Sequence, residues 1–527
     1  MHLPFIGRRP DTPPVPAKYD PETEPPLVAD LVPDGYELID RYWVEAGRAL
    51  VCILRDTHTG QPEYHLLEPP LTPLEHELLE RLHEDLRDVL VLSDDDLGGD
   101  RRQVLMTRAD ALLQEYGLDP GLDARRRIEY YLMRTFLGWS RIDGLMKDEE
   151  IEDISCDGTG VPLFLYHRRY RNIRTNLLFS EHELDSLAIA LAQRSGKHVS
   201  IGSPVVDATL PDGSRLQLTF GRDVSTRGTS FTIRKFRPAP FTPVELLRLG
   251  TFSAEELAYF WLAIEHNKSL LFIGGTASGK TSSLNAVSHF IPPRAKVVSI
   301  EDTREITLHH ENWVASVTRD TLSGDGGEAI SMFDLLKAAM RQRPEYLLVG
   351  EVRGREAQTL FQAMNTGHTT FSTLHAGSID AAIHRLENAP LSVPRSTIQA
   401  LDIASLQALI HQGTERVRRC QEIVEIAAVD PGTGNLQVNT VFEYDPVRDQ
   451  MHYTGRSLVY ARIRESRGWT RDHLDEEVRV RVRVLEAMEA AGITDSGAVS
   501  QVFDAFATCR EGVLENLEAG NLSGLLR

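Results

Sequence analysis

The sequence predicts an α/β protein whose second half is a parallel sheet packed between helices. Three observations carry this. From Ser253 to about Cys420, apolar strands alternate with helices. A glycine-rich loop leads out of one of these strands and into a helix. Three more strands run directly into a glutamate, a Gly-Glu pair or a histidine, and the carboxyl ends of parallel strands are where such sheets hold ligands.

The elements follow in order. Residues 1–34 are a proline-rich arm, with Pro13, Pro14, Pro16, Pro21, Pro25 and Pro26 close together. Residues 35–123 read as a small α+β domain. It has a strand over Ala49–Leu54, a helix over about Pro73–Val91, a polar loop over Ser93–Asp100 and a helix from about Arg108 to Tyr116. An apolar stripe at Ile128, Tyr131, Leu132, Thr135, Phe136 and Trp139 marks the helix that opens the next segment, 124–236. Its strands are Leu163–Tyr166, Arg215–Phe220 and Thr229–Arg234, the second preceded by the turn Pro211-Asp212-Gly213. Residues 237–245, with Pro238, Pro240 and Pro243, form a stiff linker. Residues 246–420 carry the alternating pattern, and residues 421–527 are expected to be mainly helical. Within that tail Arg471–Gly492 alternates Val with Arg as a strand would. Its stripe of Leu474, Val478, Val482, Leu485 and Met488, and its length, favour helix.

Composition narrows the class. A chain of 527 residues has room for roughly three or four domains. Its formal charge of −20 disfavours a polyanionic partner unless basic residues cluster. The cluster His167-Arg168-Arg169-Tyr170-Arg171 with Arg174 follows an apolar stretch and reads as an exposed strand end. No direct nucleic-acid partner is expected. Cys52, Cys156, Cys420 and Cys509 form no C-x-x-C pair, which argues against structural zinc and suits a reducing compartment. The N-terminus has no signal-peptide pattern, and no run approaches the ~18 apolar residues of a membrane span. The expectation is a soluble, cytoplasmic protein, with docking on a membrane protein left open.

Gly274-Gly275-Thr276-Ala277-Ser278-Gly279-Lys280-Thr281 fits the phosphate-loop pattern G-x-x-x-x-G-K-[ST]. At average residue usage a chain of this length yields about 0.02 such matches by chance. The loop follows the apolar strand Leu270–Ile273 and opens the helix Thr281–Phe290, which Pro292-Pro293 ends. Backbone amides and the helix N-terminus there suit a polyphosphate. Lys280 should meet the β- and γ-phosphates of ATP, and the Thr281 hydroxyl should sit on Mg²⁺.

Three other strand ends add polar groups. Lys296–Ile300 runs into Glu301-Asp302-Thr303, Tyr346–Val349 into Gly350-Glu351-Val352-Arg353, and Thr369–Leu374 into His375-Ala376. Each residue alone reads as a solvated turn or a cap. Together with the loop, Glu301, Glu351 and His375 become candidates to orient water, hold the metal's water shell and register the γ-phosphate. His368, after Gly367, also reads as a helix cap.

These boxes, in this order, resemble the secretion ATPase superfamily that powers type II secretion, type IV pili, archaella and type IV secretion. The resemblance covers about residues 142–415. Ile151–Gly158 and Met332–Leu336 look like its archaeal branch, and the zinc-binding tetracysteine insert of many bacterial pilus ATPases is absent. It implies a RecA-like P-loop core over 246–420 preceded by a PAS-like domain over 124–236, ATP and Mg²⁺ as ligands, a hexameric ring and a polytopic membrane platform protein as partner. The location it implies is the inner face of the cell membrane. It also implies that arginines of the N-terminal domain are donated to the nucleotide; Arg215, Arg227 and Arg234 stand at matching positions. Two other functions compete with the secretion or pilus motor: a DNA-transfer ATPase and a nucleotide-gated scaffold.

Overall fold

The computed structural model describes residues 25–29, 32–90, 101–236, 240–319, 329–413, 415–430, 432 and 435–526. The chain divides into two compact units between Phe236 and Arg237.

The first unit is built on one nine-stranded sheet. Its strands are β1 (Tyr36–Glu45), β2 (Ala49–Asp56), β3 (Pro62–Leu67), β4 (Ile151–Cys156), β5 (Phe164–His167), β6 (Arg171–Thr175), β7 (Val205–Thr209), β8 (Arg215–Thr219) and β9 (Ser230–Arg234). They lie in the order β1-β2-β3-β6-β5-β4-β9-β8-β7. The boundary expected near residue 123 therefore does not separate two sheets. Strand β3 pairs in parallel with β6, Glu63 opposite Arg174 and Tyr64 opposite Thr175. Val51, Ile53 and Tyr64 share one core with Ile154, Leu165 and Leu216. Asp148 fastens the join by accepting hydrogen bonds from the Tyr42 hydroxyl (2.7 Å) and the Tyr64 hydroxyl (2.8 Å). An open edge of unpaired amides is satisfied by a distant strand, and no local sequence signal announces such a pairing.

Helices Pro73–Leu90, Arg101–Glu115 and Leu122–Leu132 keep a smaller core of their own around Leu82, Leu86, Leu105 and Leu132. The second starts seven residues before its expected position, at Arg101. The third gives way to a π-helical turn, Met133–Leu137, so its stripe does not continue in one helix to Trp139. The loop expected over Ser93–Asp100 lies outside the described residues.

The second unit holds another nine-stranded sheet: β10 (Leu270–Gly274), β11 (Val297–Glu301), β12 (Trp313–Val317), β13 (Tyr346–Val349), β14 (Thr369–His375), β15 (Ile403–Gln412), β16 (Glu415–Val429), β17 (Leu436–Asp445) and β18 (Gln450–Tyr453). The order is β12-β11-β13-β14-β10-β15-β16-β17-β18. The pairings from β12 to β15 are parallel, and those from β15 to β18 antiparallel. Burial on both faces follows the period of two. Leu270, Phe272, Tyr346, Leu348 and Phe371 enter one core, and Leu271, Ile273, Leu347, Val349 and Leu374 the other.

The first of these cores is closed by helix Ala254–Glu265 and by the C-terminal helices. Trp261 stacks on Phe290 and meets Phe503 and Phe506 edge-on or tilted. Arg471–Ala490 is one helix, as its stripe predicts.

The expectation of a mainly helical tail from 421 needs correction. Strand β16 runs through that boundary to Val429, β17 and β18 continue the meander, and the first tail helix starts at Leu458. The polar residues of β16 hid a strand whose Ile423, Val424 and Ile426 are all buried. The linker also ends earlier than expected: Pro243 opens a helix, Pro243–Arg248, capped by Thr242. Residues 237–239 lie outside the described set. No helix among the described residues is long and apolar enough to cross a membrane.

Candidate functional site

Strands β11, β13, β14 and β10 are parallel neighbours, so their carboxyl ends share one edge. That edge carries Glu301, Gly350-Glu351, His375 and the loop that starts at Gly274. Gly274 and His375 are direct register partners. At the usual spacing between strands, Glu301 stands three strands and ~14 Å from the loop strand. The helix after the loop, Lys280–Val287, bridges this gap. Asn285 on it donates to the Glu305 carbonyl (3.1 Å) and accepts from the Thr307 amide (3.3 Å), in the segment just beyond Glu301.

The loop is held by its own groups. Gly279 is left-handed, with φ of +93°, which lets it cap the helix. Ala277 is also left-handed, at +58°. The Ser278 hydroxyl (2.9 Å) and Lys280 Nζ (2.7 Å) both donate to the Gly275 carbonyl. Gly275, Lys280 and Thr281 are half-buried, while Thr276 and Ala277 are exposed.

Glu301 is the buried acid of the edge, 2% exposed. Its Oε1 accepts from the Glu305 and Ile306 amides at 2.9 Å each. Its Oε2 is buried and has no hydrogen-bond partner. Burial raises its pKa to about 8, against the lowering effect of the two amides. Gly350 makes room for it: a Cβ there would stand 3.3 Å from the Glu301 Cγ. This gives a steric reason for glycine before Glu351.

Glu351 is half-buried and paired with Arg353 (Nη2–Oε2 2.6 Å), whose other terminal nitrogen lies 3.9 Å from Asp302. Arg353 thus spans the ends of β13 and β11. Its backbone is fixed by Glu356, whose Oε1 accepts from the Arg353 and Gly354 amides at 2.6 Å each. Arg353 lies in the motif that follows β13, and its link to Asp302 exists only because β13 and β11 lie side by side. His375 is half-buried, and its carbonyl accepts from Arg385 (3.0 Å). His368 does not join this edge. It precedes β14, whose seven residues set it ~20 Å from His375. Its amide donates to the Ala363 carbonyl, as a helix cap does.

The three arginines sit in the first unit. Arg215 and Arg234 face each other across β8 and β9. Arg215 pairs with Asp207 (2.9 Å) and Arg234 with Asp153 (3.5 Å), which offsets the like-charge contact. Arg227 is exposed in the connection between the far ends of β8 and β9, so the structure brings two of the three together.

The sequence pattern of the family described as type II/IV secretion system protein matches residues 176–485, more than half of the chain. The chain belongs to this family. A second pattern, described as PilB3-like, N-terminal, matches residues 14–70. Among individual relatives, uncharacterized protein MJ0900 of Methanocaldococcus jannaschii is 37% identical over 390 residues, spanning 73% of this chain and 70% of that protein. Type IV secretion system protein PtlH of Bordetella pertussis is 29% identical over 313 residues, 55% of this chain and 89% of that one. A putative conjugal transfer protein of Mycobacterium tuberculosis is 30% identical over 282 residues, 52% and 79%. Among solved structures, the VirB11 ATPase of the Brucella suis type IV secretion system, in complex with sulphate, aligns at 24% identity over 52% of this chain and 89% of its own, with a TM-score of 0.27. The pilus retraction motor PilT with bound ADP aligns at 18% identity over 70% and 93%, with a TM-score of 0.37. Scores of this size do not establish a common overall arrangement.

Proposed function

We propose that the chain binds Mg²⁺-ATP at the carboxyl edge of its parallel sheet and hydrolyses it to drive assembly or secretion of extracellular filaments or proteins. The observation that carries the ATP reading is Glu301. One oxygen of this buried carboxylate is fixed by two amides and the other has no protein partner, on the edge that also launches the phosphate loop. The residues fit a hard cation: Thr281 and Glu301 offer oxygen donors. A bound Mg²⁺ supplies charge neutralisation to the phosphate oxygens. Lys280, long enough to reach its own loop's Gly275 carbonyl, bonds phosphate in the same cradle. Glu351 orients the attacking water and accepts its proton, and Glu301 holds the cation or its water shell; His375 contacts the γ-phosphate side. Arg215 and Arg234, and Arg227 with them, are the cations proposed to offset charge in the transition state.

Membership of a secretion-system family supports the motor reading, with a hexameric ring docked on a polytopic membrane platform protein at the inner face of the membrane. Direct DNA handling is disfavoured because the basic cluster is engaged internally: Arg169 with Asp40 (2.7 Å), Arg168 with Glu152 (3.8 Å) and Arg174 with Glu63 (3.4 Å).

Phosphate release from Mg²⁺-ATP by the full chain tests this reading. Lys280→Ala should lower turnover by about a hundredfold or more while the chain still folds. Glu351→Gln should bind ATP and release phosphate slowly. Turnover in Lys280→Ala at the wild-type rate overturns the site, and binding without turnover in the wild type would make the chain a nucleotide-gated scaffold.

A further inference from the structure

Two adjacent arginines on β16 point in opposite directions, as a strand requires. Arg419 is largely buried, pairs with Asp449 (2.8 Å) and donates to the Leu249 carbonyl (2.9 Å). Arg418 turns to the phosphate loop. Its Nε donates to the Ala277 carbonyl at 3.0 Å, and its Cδ lies 3.3 Å from where a Cβ on Gly279 would stand. It therefore grips the two left-handed residues of the loop, one of which is an alanine in a conformation that favours glycine. A trans peptide sets the Ala277 carbonyl antiparallel to the Ser278 amide. Fixing the carbonyl on Arg418 therefore also fixes the direction of that amide, in a loop whose amides suit phosphate.

We propose that Arg418 is a positioning residue for nucleotide binding, which fixes the Ala277–Ser278 peptide from a strand two places along the sheet. The proposal rests on the ATP reading of the same loop. It acts through a hydrogen bond from Nε and not through the charge of the guanidinium, which makes it separable from a direct phosphate contact. Glutamine carries its amide nitrogen the same number of bonds from Cα as arginine carries Nε. Arg418→Gln therefore keeps the donor and removes the charge, whereas Arg418→Lys keeps the charge and misplaces the donor.

The test is equilibrium binding of a fluorescent ATP analogue to the full chain with Mg²⁺, with phosphate release measured alongside. Arg418→Ala should raise Kd on the order of five- to tenfold, the size of one net hydrogen bond, with a smaller change in kcat. Arg418→Gln should stay within about threefold of wild type and bind better than Arg418→Lys. Adding Ala277→Gly to Arg418→Ala should recover most of the loss, because glycine adopts the turn unaided. If Arg418→Ala does not fold, the Gln-against-Lys order decides. Binding by Arg418→Ala within twofold of wild type overturns the proposal, as does recovery by Lys and not by Gln. A wild-type chain that binds no ATP would instead remove the ATP reading itself.

Discussion

Glu301 is costly as a carboxylate, and that gives it a pH signature. Its folded pKa of about 8 lies above the ordinary 4.5, so the folded chain holds a proton that the unfolded chain releases. This contribution to stability is fully present below pH 4.5 and is lost as pH rises through 8, with a ceiling on the order of 5 kcal/mol. Glu301→Gln keeps the Oε1 acceptor for the Glu305 and Ile306 amides and does not titrate. Melting curves of variant and wild type should therefore diverge in favour of the variant between about pH 4.5 and 8 and run parallel above that, while turnover falls by about a hundredfold or more. Equal pH dependence in both would remove the buried-acid assignment. Much of this site was legible in the sequence because its parts are local. The phosphate loop is one contiguous run, and each strand-end residue follows its own apolar strand. Arg418 was not legible, since it reaches the loop from 141 residues beyond Ala277 and its neighbour Arg419 looks the same in sequence.

Among the elements, the parallel strands β10, β11, β13 and β14 were read correctly from apolar runs, whereas the parallel strands β12 and β15 and the antiparallel extension of the same sheet were missed. The difference is physical: β10, β13 and β14 are buried on both faces, whereas β16 to β18 mix buried and polar positions. One buried side chain ties that extension to the helical region through several hydrogen bonds. Glu425 on β16, 1% exposed, accepts from the Tyr259 hydroxyl (2.8 Å), Asn439 (3.0 Å) and the Leu458 and Val459 amides (2.6 and 3.1 Å). It thus caps helix Leu458–Arg467 from the sheet. Glu425→Gln sets an NH₂ group against donors and should cost about 2–3 kcal/mol in urea unfolding. Hydrogen exchange should quicken in 458–467 ahead of β10. A loss below about 0.5 kcal/mol would mean that water already shares these bonds.

At the scale of the whole molecule, the separate units leave the charge balance of hydrolysis open. Lys280 and a divalent ion do not neutralise a triphosphate whose charge shifts further onto oxygen in the transition state. If Arg215 and Arg234 supply the difference, replacing either with Ala should cut turnover by on the order of 10³ while nucleotide affinity changes far less. Turnover within about twofold of wild type for both would place the completing cation elsewhere. The ring proposed for this family member adds a second condition. Each copy carries a formal charge of −20, so bringing copies together opposes a long-range repulsion that salt screens within about 10 Å at 0.1 M. Assembly should thus strengthen from low to moderate ionic strength, and bound Mg²⁺-ATP should favour it by mass action if the nucleotide binds the assembled form more tightly. Turnover per chain should then rise with protein concentration and level off where mass measurements show six copies. Concentration-independent turnover by a species of single-chain mass would show that one copy completes its own site, and the ring would not be needed for hydrolysis.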